Sequence, residues 1–352
     1  MKILFVKLGA IGDAIHTLPS LAAARSAFPD AEISWVVESR SAEILRGNPM
    51  LDNLIEVNTR SIRGSRVDEI LPELRKQIKD LRRFKFDIAI DFQGLLKSGL
   101  IAKLSGAKRR VGFSKDALRE PSSRLLLTDT VKTGPQIHVI RKNLGLLGGA
   151  LNFDISKADL EFPISTTVDD RQEAADIIDR ACGDFAVLNP AGGWVTKLWP
   201  AENYGELADR IWETHGIVPI VAVGPAEAEL AERVSASSRS GKLHVVQPSL
   251  KAFYEIARRA KVYVGGDTGP THIAVAAGAP IVGIFGPTEW WRNGSPNSGD
   301  ICVERTDIGC RIDCHRRVCG NWICMDIGVE TVLDAVTARL IAAGEIEDQT
   351  SP

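Results

Sequence analysis

The stretch from Gly265 to Thr288, GGDTGPTHIAVAAGAPIVGIFGPT, constrains the fold of this chain more than any other segment. Ahead of it, Lys261-Val-Tyr-Val is apolar and β-branched, as a buried strand requires. Gly265-Gly266 is expected to release the backbone from that strand, and Asp267 or Thr268 then caps a helix with Pro270 near its first position. Gly278 and Pro280 end that helix, and Ile281 to Phe285 resumes a buried strand. The backbone N–H groups at such a helix start, together with the helix dipole, favour a bound anion, most often phosphate. A nucleotide-like ligand at Asp267-Thr268-Gly269 is the first expectation.

The same alternation of strand and helix patterns runs along the whole chain, which argues for parallel sheets with crossover helices. Ile3 to Leu8, Ile33 to Val37 and Asp87 to Ile90 read as strands of a first unit. Phe185 to Leu188, Val218 to Val223, Leu243 to Val246, Lys261 to Val264 and Ile281 to Phe285 read as strands of a second. Between them, Asn152 to Asp170 is mixed and polar, like a linker, and Val329 to Ala343 has helical periodicity. A chain of 352 residues suits two domains of about 150 residues each. The expected fold is α/β: two Rossmann-like doubly wound domains, 1–165 and 166–352, facing a central cleft as the ligand site.

Charge divides the chain at about the same place. Through Ala150 the formal charge is +9, and beyond it −11, although the total is only −2. A basic first half suits an anionic acceptor or membrane surface, or reflects ordinary solvated helix faces. The start, MKILFVKLGA, reads as a first strand and not as a signal peptide. No apolar stretch is long enough to cross a bilayer, so any membrane contact is expected to be peripheral.

Several residues at expected strand ends suit group transfer. In KLGAIGDAIHTLP, Gly9 and Gly12 bracket a tight turn and Asp13 opens a helix, placed either as a general base or as a dipole-favoured carboxylate. His16 is one helical turn on. In LNPAGGWVTKLWP, Lys197 follows a glycine turn and suits neutralisation of a diphosphate leaving group. Glu227 follows the second strand of the second unit, where an acid either contacts ribose hydroxyls or caps a helix. His272 falls in the first turn of the helix after Asp267. On the acceptor side, Arg60, Arg63 and Arg66 share one basic loop, and Lys97 and Arg119 are further cations for a carboxylate or phosphate.

Absent motifs narrow the chemistry. The chain has no D-x-D, H-x-H or H-E-x-x-H metal signature, no G-x-G-x-x-G fingerprint and no P-loop. Hydride transfer and nucleoside-triphosphate hydrolysis lose their usual support, and neither a cofactor nor a metal is expected at the reacting site. Four of the six cysteines crowd into CRIDCHRRVCGNWIC as Cys310, Cys314, Cys319 and Cys324. The spacing C-x3-C-x4-C-x4-C lacks the C-x2-C knuckle of common zinc sites, leaving two readings open: a metal or iron–sulfur site, or reduced cysteines packed in a loop-rich tail.

Taken together, VKLGAIGDAIHTLP, DFQGLLKSG, REPSSRLL, KLWP, GGDTGPTHIAVAAGAP and FGPTE resemble the ADP-heptose:lipopolysaccharide heptosyltransferases of glycosyltransferase family 9. The resemblance spans residues 1 to about 290, and IDFQGLLKS and REPSSRLL look more like the heptosyltransferase I branch, which adds the first heptose to the Kdo of the inner core. It implies a GT-B fold with an N-terminal acceptor domain and a C-terminal nucleotide-sugar domain. It also implies an inverting, metal-independent transfer of heptose from ADP-heptose to an anionic Kdo-lipid A acceptor at the membrane surface, with no nucleic-acid partner. The setting would be cytoplasmic, peripheral on the inner membrane. Asp13 would be the base; Lys197 would hold the diphosphate; Gly12, Asp267, Thr268, Gly269, His272 and Glu227 would bind the donor; Arg119, with Arg60, Arg63 and Lys97, would contact the acceptor. The chain departs from the family at Leu8-Gly9-Ala10, where a hydroxyl residue is common, and in WWRNGSPNSG and the cysteine-rich tail. Alternatives are a GT-B transferase or epimerase using UDP-linked sugars, and a non-catalytic nucleotide-sugar-binding protein.

Overall fold

The computed structural model describes residues 1–59, 76–156, 158–312 and 314–346. The chain divides into two compact units, Met1–Ser165 and a second beginning at Thr166. Among the described residues each unit is built on one six-stranded sheet, every paired strand running parallel.

In the first unit the strands are β1 (Lys2–Val6), β2 (Glu32–Glu38), β3 (Asn53–Val57), β4 (Ile88–Asp91), β5 (Arg109–Phe113) and β6 (Asp129–Val131), in the spatial order β3-β2-β1-β4-β5-β6. The strand order therefore reverses between β1 and β4. In such sheets the crevice beyond the carboxyl ends of those two strands is where ligands bind. Strands β1, β2 and β4 are almost wholly buried, which is why they read as continuous apolar runs. Phe5 packs against Trp35 and Phe92 with ring centroids 5.7 and 4.8 Å apart, and the buried Trp35 Nε1 donates to Lys7 O at 3.0 Å. Each such ring buries enough apolar surface to contribute about 1.5–3 kcal/mol.

The second unit repeats the plan. Its strands are β7 (Phe185–Asn189), β8 (Val218–Ala222), β9 (His244–Val246), β10 (Val262–Gly266), β11 (Ile281–Phe285) and β12 (Ile301–Glu304), ordered β12-β11-β10-β7-β8-β9. The reversal lies between β7 and β10. The unit opens on the helix Val168–Ala181, capped reciprocally: Asp170 N donates to Thr167 Oγ1 at 3.2 Å, and Thr167 N to Asp170 Oδ2 at 2.7 Å. Helices Ala201–His215 and Val329–Ala342 pack on each other, the latter also against β10, β11 and β12. Trp199, buried and edge-on to Tyr204 at 4.9 Å, donates its Nε1 to Ile327 O at 2.8 Å.

Two details differ from the sequence expectation. Gly265 and Gly266 do not release the chain from the strand; they are its last residues, paired with Gly283 and Ile284 of β11. Their lack of side chain serves close approach instead: a Cβ on Gly266 would meet Lys197 O at 3.3 Å. Strands β3, β5, β6 and β12 were not anticipated.

Candidate functional site

In the first unit, β1 ends at Val6 and the chain passes through Lys7, Leu8 and Gly9 into the helix Ile11–Ile15. Gly9 has φ +137, and a Cβ there would meet Ser41 Oγ at 2.7 Å, so only glycine fits the turn. Gly12 is buried inside the helix, one residue ahead of Asp13. Asp13 reaches back so that Ala10 N donates to its Oδ2 at 3.1 Å, and its Oδ1 lies 3.4 Å from Lys7 Nζ. Burial acts to raise the Asp13 pKa, but Lys7 and Arg119, with the Ala10 N–H, hold it below the ordinary carboxylate value. Asp13 is therefore ionised at neutral pH and keeps a partly exposed edge, its side chain 20% accessible. Lys7 is itself buried and donates to Phe92 O at 3.0 Å; burial outweighs the attraction of Asp13 and lowers its pKa.

The loop after β4 braces this turn. Gln93 accepts from Leu8 N at 3.0 Å through Oε1 and donates to Gly9 O at 2.9 Å through Nε2. The buried Asp91 carboxylate accepts from Gln93 N at 2.9 Å, Gly94 N at 3.1 Å and Ser98 Oγ at 3.0 Å, while burial pushes its pKa up. Lys7, Asp91 and Gln93 were missed as functional residues in the sequence. The available signal was the pair of polar residues in DFQG, set at the end of an otherwise apolar strand.

Of the acceptor-side candidates, Arg119 is exposed and close enough to act electrostatically on Asp13 and Lys7. Lys97 donates its Nζ to Glu38 Oε1 and Thr59 Oγ1, each at 2.8 Å, and Glu38 N in turn donates to Leu8 O at 3.0 Å. His16 is buried, its ring edge-on to His138 at 6.1 Å. Arg60, Arg63 and Arg66 lie outside the described residues.

In the second unit, β7 leads to a short helical turn, Val195–Lys197, and β10 leads to the helix Gly269–Ala276. Lys197 Nζ lies 2.6 Å from Asp267 Oδ2 and donates to Asp267 O at 3.2 Å. His272 Nε2 is 3.2 Å from Asp267 Oδ1, and Asn293 Nδ2 donates to Oδ2 at 3.5 Å. Burial opposes ionisation of Asp267, but His272 and Lys197 together hold its carboxyl far below the usual range. Lys197 also sits over the Trp194 ring, 4.2 Å from its centre, so the indole face stabilises the ammonium from the other side.

Thr268 is the N-cap residue of the following helix, yet its side chain makes no capping bond. Its hydroxyl donates to Asn189 Oδ1 at 3.5 Å and lies 3.2 Å from Thr271 Oγ1. The Thr268 side chain therefore leaves the backbone N–H groups of the helix start without a cap of its own, at the positive end of the dipole beside Lys197. Glu227 lies after β8 and accepts from Gly224 N at 2.6 Å, shaping that turn with one carboxylate oxygen. The second unit thus gathers Lys197, Asp267, Thr268, Gly269 and His272 at the ends of β7 and β10, its strand-order reversal.

The two α/β units, each with its polar residues at a strand-order reversal, define a GT-B glycosyltransferase architecture, as comparison with solved structures shows. E. coli heptosyltransferase WaaC with ADP superposes with a TM-score of 0.73 at 26% identity, over 86% of this chain and 93% of that one. E. coli ADP-heptose lps heptosyltransferase II shares the fold with a TM-score of 0.76 at 18% identity, over 98% of this chain and all of that one. The family model for glycosyltransferase family 9 (heptosyltransferase) matches residues 74–320. Lipopolysaccharide heptosyltransferase 1 of Pseudomonas aeruginosa is 30% identical over 320 residues, 91% of this chain and 87% of the relative. The enzyme of the same name from E. coli K12 is 26% identical, covering 82% of this chain and 89% of the relative. The chain belongs to glycosyltransferase family 9 and is a glycosyltransferase.

Proposed function

We propose that this enzyme is a lipopolysaccharide heptosyltransferase of type I, moving heptose from ADP-heptose to the Kdo of a lipid A-bearing acceptor with inversion at the anomeric carbon. The observation that carries the reading is the Lys197–Asp267–His272 cluster at a helix start whose N-cap residue, Thr268, makes no side-chain capping bond. A partly buried lysine and the backbone N–H groups of a helix start are what an expelled nucleoside diphosphate needs, because both stabilise negative charge without reorganising. An ammonium has three N–H donors, and two of those on Lys197 are spent on Asp267, which leaves one for a phosphate oxygen. Relatives are lipopolysaccharide heptosyltransferases by name, and a solved one was captured with ADP, which favours an adenine nucleotide over UDP.

Asp13 takes the proton from the acceptor hydroxyl as it attacks, and Arg119 attracts the acceptor carboxylate toward that base. With its pKa depressed, Asp13 is a weak base in the resting enzyme, so proton transfer accompanies attack and does not precede it. Glu227 contacts the ribose, and Lys97, Arg60 and Arg63 add positive charge on the acceptor side. The chemistry at the diphosphate requires no divalent ion, since Lys197 and the helix start supply the compensating charge. Among the described residues no helix is long and apolar enough to cross a membrane. The reading places the enzyme peripherally on the cytoplasmic face of the inner membrane, where its basic first unit meets an anionic surface.

The test is direct. Purified protein incubated with ADP-heptose and a Kdo-lipid A acceptor, without added magnesium or manganese, gains one heptose mass on the acceptor. Asp13→Asn lowers that turnover by roughly 10²–10⁴-fold while calorimetric ADP affinity stays within about twofold. Equal turnover with UDP- and ADP-linked sugars, or an active Asp13→Asn variant, overturns the assignment.

A further inference from the structure

The cysteine-rich segment is not absorbed by the transfer chemistry, yet it is folded against it. A cavity of about 390 Å³ is walled by Cys310, Cys314, Cys319 and Cys324, together with Thr196 and Trp322. All four cysteines are free thiols. Nothing in the transfer reaction calls for four thiols around one space, and a segment with so little regular structure has few backbone bonds of its own to hold it.

We propose that Cys310, Cys314, Cys319 and Cys324 form a tetrathiolate site for a single thiophilic divalent ion of the zinc class, which staples this segment to the turn carrying Lys197. The intervals of three, four and four residues lie within or close to the ligand spacings of structural zinc sites. The cavity gives an ion room, and the softness of thiolate selects zinc over magnesium or calcium. Binding is balanced by proton release: four thiols lose four protons, and four sulfur–metal bonds form with no change of oxidation state. Among the described residues no three His, Cys, Asp or Glu side chains already converge for a metal, so the thiols must rotate inward around the cavity as the ion enters.

The segment's contacts say what the staple would hold. Trp322 Nε1 donates to Thr196 O at 2.9 Å, and Thr196 Oγ1 donates to Arg316 O at 2.6 Å. Arg317 lies over the same Trp194 ring as Lys197, 5.2 Å from its centre. His315 N donates to Pro287 O at 3.0 Å, which ties the segment to the loop after β11 as well. Tightening the four-cysteine loop therefore fixes Thr196, next to Lys197 in the chain, and Trp194, whose ring lies under its ammonium. This coupling to donor binding rests on the function proposed above; the metal site itself does not.

The experiment uses the full chain, grown with zinc and purified without chelator. Plasma mass spectrometry should find about one zinc per chain. Titration with a mercurial should release that zinc to a chromogenic chelator as the four thiolates are converted to mercaptides. Cobalt substituted for zinc should give the intense sulfur-to-metal charge-transfer band and tetrahedral visible bands of a thiolate site. Cys310→Ser should lose most of the bound metal, Cys310→His should retain it as a three-cysteine, one-histidine site, and Cys182→Ser should keep all of it. Circular dichroism checks that each variant is folded, and ADP affinity should fall severalfold in metal-free protein. Metal below one-tenth per chain with all thiols equally reactive overturns the site, as do thiol counts restored only by reductant, or iron with acid-labile sulfide. Full metal occupancy with unchanged ADP affinity in its absence overturns the coupling alone.

Discussion

Asp13, the base of the proposed transfer, is held ionised by a cation. Lys7 lies 3.4 Å away and Arg119 adds to its field, so the carboxylate stays ionised below the usual range despite its burial. The acidic limb of kcat/KM that belongs to Asp13 should therefore fall below pH 3.8, the ordinary value for an aspartate. In Lys7→Met that limb should move to higher pH, since the cation favouring the charged form is gone and burial remains; a pH–rate profile of both proteins checks this. Asp267 has a consequence for stability. Its folded pKa is depressed, so its contribution is present above the unfolded value of 3.8 and is lost as pH falls toward the folded one. Urea unfolding between pH 4 and pH 2 should show a shallower pH dependence in Asp267→Asn, by up to about 1.4 kcal/mol per pH unit for the one proton removed. An unchanged slope would mean that His272 and Lys197 do not hold that carboxylate ionised.

Among the elements, the turn after β1 and the loop after β4 work as one piece. Gln93 satisfies both Leu8 N and Gly9 O, and removing its amide leaves two backbone groups without that partner at the turn that aims Asp13. Gln93→Leu should cost about 1–3 kcal/mol in denaturant unfolding and lower kcat with ADP affinity unchanged. A loss confined to stability, with kcat intact, would reduce Gln93 to a purely structural brace. This piece also shows where sequence reading stops. Asp13, Lys197, Asp267 and His272 announce themselves because each follows a glycine turn beside an apolar run. Lys7 and Gln93 act through contacts that span 85 positions, and nothing local records such a partner. Strands behave the same way. Buried β1, β2, β7, β10 and β11 are legible as apolar runs, whereas β3 alternates weakly with its exposed Glu56, β5 opens on two arginines, and β6 has only three residues. Pairing with a neighbour makes those segments strands, and their own composition does not.

At the scale of the whole molecule, the chain carries one strand-order reversal in each of two units, with the Asp13 carboxylate at the first and the Lys197–Asp267–His272 cluster at the second. That division makes donor binding separable from catalysis. ADP at 100 times its dissociation constant should stabilise the protein by about 2.7 kcal/mol, and UDP at the same concentration by much less. Hydrogen exchange should place the accompanying protection in Val195–Lys197 and Gly269–Ala276, leaving Ile11–Ile15 unchanged. Protection centred on the first unit would refute the division of labour. The repetition of the plan was readable from alternating patterns and from the polar stretch near residue 165; the strand order was not, because register between strands distant in sequence leaves no mark along the chain.

The turn bearing Lys197 is gripped from far down the chain: Trp199 by Ile327, Thr196 by Arg316 and Trp322. Residues separated by some 120 positions thus form a single inheritable module. A chimera that takes the segment around Arg316 to Ile327 from a distant relative must take the K-L-W-P turn with it. Exchanging either alone mismatches the anchoring indoles and their carbonyl partners, and the donor lysine drifts out of register although every residue of its own loop is intact.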